Sequence, residues 1–128
     1  MNTTRDTLNS AALTRRRPGK RVVLAALLAL SAKTADHVRN LGWEVRTVAD
    51  RDIRAAAAAT EPNIVLLPEA AGDESGFLAG AKLLATLPHL KVIVLGANRT
   101  GTNERFAEFV GAEYATETDV SAVVDALV

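Results

Sequence analysis

Residues 62–76 read PNIVLLPEAAGDESG. Four apolar residues, Ile64 to Leu67, lead to Pro68, and a loop of small and acidic residues descends to Gly76. A short, unbroken apolar run bounded by turn residues reads as a strand covered on both faces, the kind found in parallel sheets. RVVLAAL (21–27) and KVIVLG (91–96) have the same character, WEVRTV (43–48) has strand-forming composition, and EYA (113–115) makes a short fifth strand.

Helical patterns fill the intervals. Ser31 can cap a helix with Ala35, Val38 and Leu41 inward and Gly42 as its stop. Asp50 or Asp52 opens the alanine-rich DIRAAAAAT, which must end before Pro62. GFLAGAKLLATL is halted by Pro88. Thr102 can cap NERFAEFV, with Phe106, Phe109 and Val110 inward and Gly111 beyond its end. Val120, Val123, Val124 and Leu127 make one clean face of a last helix. Five strand–helix units with short connections predict an α/β domain: a five-stranded parallel sheet with helices on both faces, strand order 2-1-3-4-5. Its working edge lies at the carboxyl ends of the strands.

A chain of 128 residues suits one domain, and 48% apolar residues with 4% aromatics imply a core of small aliphatics. The absence of cysteine excludes disulfides, thiolate metal sites and cysteine nucleophiles, and it fits a reducing, cytoplasmic setting. Net charge is zero, but up to Arg21 six basic residues face only Asp6, so this stretch carries +5 and the remainder −5. Residues 1–20 therefore read as a flexible basic leader and 21–128 as the domain. Arg15, Arg16, Arg17, Lys20 and Arg21 can form an arm for nucleic acid, although no aromatics are interleaved for base stacking. TRRRPGKR followed by VVLAALLALSA has the layout of an export signal. Its apolar stretch is too short to span a membrane, and removing it would delete the first strand.

From Arg21 onward the chain resembles the receiver domain of two-component response regulators, the CheY-like, flavodoxin-like family. LGWEVRTVAD, NIVLLPEAAGDESG, KVIVLGA and GAEYATETD carry the likeness, and Gly76 follows Pro68 at the family's spacing from phosphoacceptor aspartate to helix-opening glycine. In that family, phosphoryl transfer needs carboxylates that hold Mg²⁺, a nucleophilic carboxylate, a hydroxyl and a lysine. Carried over by position, the acidic pair falls on Ala26 and Leu27, the phosphoacceptor on Pro68, the hydroxyl on Gly96 and the lysine on Glu117. The resemblance therefore implies a pseudo-receiver: no enzyme, no metal, no cofactor. It also implies contact with a protein partner, or with itself as a homodimer, through the helix 4–strand 5–helix 5 face. Tyr114, Phe106, Arg105 and Arg99 are the candidate contact residues there. Tyr114, at the family's strand 5 aromatic, either joins that interface or simply packs.

Two other classes stay open. Pro68, Ala26 and Gly96 could line a small apolar ligand site at the strand edge, or the leader could hold nucleic acid. The remaining motifs read as ordinary surface. Glu69 is expected to be a solvated loop residue, because a fixed mimic of phospho-aspartate would need a one-residue shift against the strand period. GANRTGT (96–102) lacks the lysine of a phosphate-binding loop. Asp73 and Glu74 lack further acidic ligands, and His37 and His89 have no evident nucleophile or metal partner. Asp36-His37 with Gly42 is a poor match to a cobalamin-binding signature.

Overall fold

The structure, a computed structural model, describes residues 21–27, 29–71 and 74–127. The basic leader of residues 1–20, including Arg15, Arg16, Arg17 and Lys20, lies outside the described residues, as does Asp73. Five strands form one parallel sheet: β1 (Arg21–Ala26), β2 (Trp43–Val48), β3 (Ile64–Pro68), β4 (Lys91–Gly96) and β5 (Glu113–Thr116). Their order is β2-β1-β3-β4-β5, the one expected from the sequence. The helices are α1 (Ala32–Asn40), α2 (Ile53–Thr60), α3 (Gly76–Thr86), α4 (Gly101–Val110) and α5 (Val120–Ala126).

The three middle strands show why the sheet sits inside. Val22 to Ala26, Ile64 to Leu67 and Val92 to Leu95 are buried without alternation, so both faces are covered. α1 packs beside α5, and α3 beside α4. Asn63 fixes the register at the amino end. Its Oδ1 accepts from Val22 N at 2.8 Å while its own N–H donates to the Val22 carbonyl at 2.9 Å. This clasp brings Ala25 level with Leu66, and so carries the ends of β1 and β3 to the same edge.

Several local expectations are corrected. β1 stops at Ala26, which leaves Leu27 in a turn and 59% exposed. Asp50 begins a single 3₁₀ turn (Asp50–Asp52) before α2, rather than α2 itself. Glu61 ends α2 in a left-handed conformation, φ 48°, because Pro62 bars another helical residue. In α1 the inward residues are Thr34, Ala35 and Val38, and Leu41 is exposed at the cap. α4 is capped by Thr100, whose hydroxyl accepts from Asn103 N at 3.1 Å, and not by Thr102.

The close packing of a small residue sets the roll of α4. Ala107, 1% exposed, faces the sheet, whereas Phe106 and Phe109 point outward at 54% and 87% exposure. A methyl group at the contact lets this helix lie close to the sheet. The large rings that periodicity alone would put inside are left at the surface.

Candidate functional site

β1, β3 and β4 end together at the carboxyl edge, where Ala26, Pro68 and Gly96 meet. Two cavities open there. One, of about 420 Å³, is lined by Ala29, Pro68, Glu69, Leu95, Gly96 and Glu117 among others. The second, of about 290 Å³, lies on the α2–α3 side of Ala26 and Pro68. Pro68, Gly96 and Glu117 are thus brought to a single crevice, while Leu27 lines neither. The side chains of Ala26, Leu27 and Pro68 carry no oxygen, and a hard cation takes oxygen ligands. Among the described residues no group of three His, Asp or Glu side chains is placed to hold a metal ion.

The crevice is closed on one side by Glu69, which is half-buried and not the solvated loop residue its position implies. Its backbone N–H donates to the Leu95 carbonyl at 2.7 Å, so the chain past Pro68 stays hydrogen-bonded to β4. Its side chain turns toward β5, where Tyr114 Oη donates to Glu69 Oε1 at 2.7 Å. The same hydroxyl lies 3.0 Å from the Asn98 carbonyl and accepts from Asn103 Nδ2 at 3.4 Å. Tyr114 is 3% exposed, with its ring stacked on Phe77 at a centroid distance of 6.3 Å. Burial, reinforced by the hydrogen bond and negative charge of Glu69, pushes its hydroxyl pKa up to about 12.

Gly96 makes this arrangement possible. A β-carbon there would overlap both the Tyr114 hydroxyl and the Glu69 carboxylate. Gly76 does the same for the loop: it donates to the Glu69 carbonyl at 2.9 Å, and a β-carbon would strike the Pro68 carbonyl. The two-residue arms of a small antiparallel hairpin, Ala70–Ala71 with Glu74–Ser75, bridge Glu69 to α3. Sequence reading missed the Glu69–Tyr114 pair. The signal available was a glycine where a hydroxyl residue is expected, which opens a volume that larger neighbours can fill.

Glu117 has an internal role. It accepts from Thr34 Oγ1 at 3.1 Å and reaches Ser31 N at 3.5 Å, at the amino end of α1, where the helix dipole favours negative charge. Ser31 caps that same turn through Thr34 N at 3.2 Å. Arg99 is likewise engaged within the chain. Its guanidinium pairs with Asp119 and Glu104, each at 2.7 Å, and lies 5.9 Å from the Tyr114 ring centre. Hydrogen bonds to Asp119 and Glu104 raise the pKa of Arg99. Burial works against ionised Asp119, but the Thr116 N–H and Arg99 prevail and hold its pKa below the usual value.

Of the candidate contact residues, Tyr114 is therefore internal and Arg99 is tied into an ion-pair cluster, while Arg105 and Phe106 are at the surface. Thr102, Arg105, Phe106 and Phe109 form one exposed ridge of α4, and Leu78 of α3 is also exposed. Phe77 ties the ridge to the crevice: its ring lies 5.7 Å from Phe106 on one side and stacks on Tyr114 on the other.

The other candidates are accounted for locally. Glu74 pairs with Lys82, whose hydrogen bond lowers its pKa. His37 and His89 are exposed. In the GANRTGT loop the Asn103 N–H is taken by Thr100 Oγ1 and the Glu104 N–H by the Thr100 carbonyl.

No family model matches this chain, and no curated protein matches it. Solved structures do. A chemotaxis protein of Vibrio cholerae, CheY4, is similar at a TM-score of 0.73 with 15% identity, over 85% of this chain and 99% of that one. The signal receiver domain of a LuxO repressor protein of Vibrio parahaemolyticus gives 0.72 with 16% identity, over 84% and 89%. A response regulator of Burkholderia pseudomallei, solved with a phosphorylated aspartic acid and a calcium ion, gives 0.69 with 20% identity, over 85% and 67%. At such identities the likeness is one of fold: this chain has the CheY-like receiver architecture. Among the described residues no helix is long and apolar enough to cross a membrane.

Proposed function

We propose that this chain is a phosphorylation-independent pseudo-receiver, a non-enzymatic module of cytoplasmic signalling that acts by binding a protein partner or a second copy of itself. The observation that carries this reading is the content of the crevice. Where phosphoryl transfer needs oxygen ligands and an ammonium, the chain has Ala26, Pro68, Gly96 and Glu117. The Glu69 carboxylate and the Tyr114 hydroxyl are hydrogen-bonded to each other beside Gly96. Two fixed carboxylates, Glu69 and Glu117, line the space an incoming phosphoryl group would enter, and like charge there opposes its approach.

Binding activity is supported by the α4 ridge. An exposed phenylalanine pair is an apolar patch of the kind that marks interaction surfaces, and Arg105 supplies a charged rim. Since Tyr114 is internal, the contact surface is centred on α4 and not on β5.

Two measurements test the reading. Incubation with acetyl phosphate and Mg²⁺ should leave the chain unmodified by intact mass; stoichiometric aspartyl phosphate would overturn it. Sedimentation of the chain alone, compared with Phe109→Ala, tests self-association, and a monomer at all concentrations directs the search to a heterologous partner.

A further inference from the structure

On α4, Thr102, Arg105, Phe106 and Phe109 stand at i, i+3, i+4 and i+7, the spacing of a single helix face. Such a stripe is the one a surface helix turns toward the core. Here Ala107 takes the sheet contact and the stripe faces outward, with Phe109 87% exposed. Phe106 is braced by Phe77 at a ring distance of 5.7 Å, so part of the stripe is held in place before anything covers it.

The charges beside the stripe are arranged on one flank. Glu104 is bound by Arg99, but the ion pairs among the described residues include neither Arg105 nor Glu108, and both are exposed. They lie three residues apart, on the same side of the stripe, with Phe106 on the other. A flank with one free cation and one free anion a helical turn apart is complementary to itself when the helix direction is reversed. Self-complementarity of this kind is what an isologous two-fold contact requires.

We propose that two copies of this chain associate through antiparallel α4 helices, about a two-fold axis passing between the levels of Phe106 and Ala107. This rests on the binding reading above and names its partner. Antiparallel packing sets each flank against the same flank of the other helix, and charged flanks fix the orientation of a helix pair. Arg105 of each copy thus comes level with Glu108 of the second. Two reciprocal ion pairs border the seam, and Phe109 enters among Thr102, Arg105 and Phe106 of the second copy. A parallel pair turns the charged flank toward the Phe106 flank and loses both ion pairs. At ten residues α4 is about 15 Å long, so the contact is small. Association is accordingly weak, with a dissociation constant of about 10 µM to 1 mM.

Sedimentation equilibrium of the full chain over about that range should show the mean mass rising toward that of a dimer. Phe109→Ala should weaken association about tenfold or more. Arg105→Glu and Glu108→Arg should each do the same, since each sets like charges level across the seam. Mixing these two single variants in equal amounts should restore association, because an all-acidic flank then meets an all-basic one. The double variant Arg105→Glu/Glu108→Arg should self-associate like the unaltered chain. Far-ultraviolet circular dichroism of the single variants, and their recovery on mixing, separate a lost contact from a lost fold.

A chain that stays monomeric throughout the range, the outcome expected if a different protein covers the ridge, overturns the proposal. Association that Phe109→Ala or the single charge variants leave unchanged overturns it too, as does failure of the mixed variants to recover. None of these outcomes bears on the acetyl phosphate result, so failure of the two-fold contact and failure of the phosphorylation-independent reading are told apart.

Discussion

The hydroxyl of Tyr114 donates to Glu69 Oε1 at 2.7 Å, in a space that a side chain on Gly96 would fill. One residue from the end of β3, one from β5 and a glycine from β4 thereby form a closed group at the carboxyl edge. Phe77 continues the contact to Phe106 on the α4 ridge. Each member of the group can be tested by itself.

Gly96→Ala should be the most disruptive small substitution in the crevice. Its methyl needs the volume held by Glu69 and Tyr114, and overpacking of this kind costs about 1–3 kcal/mol. Denaturant unfolding should show that loss, and near-ultraviolet circular dichroism should show a changed tyrosine environment. Unchanged values in both would mean that the pair does not occupy this space in solution.

Glu69→Ala and Tyr114→Phe should each destabilise by about 1–2 kcal/mol. Because the two groups touch, the double variant should lose less than the sum, by about 0.5 kcal/mol or more. Strict additivity in the cycle would contradict the hydrogen bond.

Alkaline pH gives a third handle. The pKa of Tyr114 lies near 12 in the folded chain, against about 10 when unfolded. A raised pKa on an acid that is neutral in the fold contributes fully below the unfolded value. Between about pH 10 and 12 only the unfolded chain ionises, so stability should fall with rising pH, by about 1.4 kcal/mol per unit from this group. Tyr114→Phe should remove that component of the slope in matched unfolding titrations.

Two neighbouring positions of α4 should respond in opposite ways. Phe109→Ala should change stability by no more than about 0.5 kcal/mol, because the ring is in solvent. Ala107→Leu, which forces bulk against the sheet, should cost about 1–3 kcal/mol. Reversed effects would mean that the helix is rolled the other way.

Glu61→Gly should stabilise the chain, by less than about 1 kcal/mol. It relieves a left-handed, non-glycine helix end at φ 48°, although glycine gains more freedom when unfolded. A lower unfolding temperature in this variant would show that the Glu61 side chain matters more than its backbone strain.

The amino-acid sequence by itself determined the architecture. Unbroken apolar runs such as Val22–Ala26 and Val92–Leu95, separated by helical periods and turn residues, have one economical arrangement, a parallel sheet covered on both faces. It also determined that Ala26 and Pro68 bring no ionisable side chain to the strand ends, wherever they are put. Tertiary structure alone decided what fills the space beside Gly96. Glu69 and Tyr114 are 45 residues apart, and nothing local relates them until β3, β4 and β5 lie side by side and a bare glycine opens room between. The same holds for the roll of α4. Periodicity marks Phe106 and Phe109 as a face but not its direction, which is set by close packing of Ala107 on the sheet.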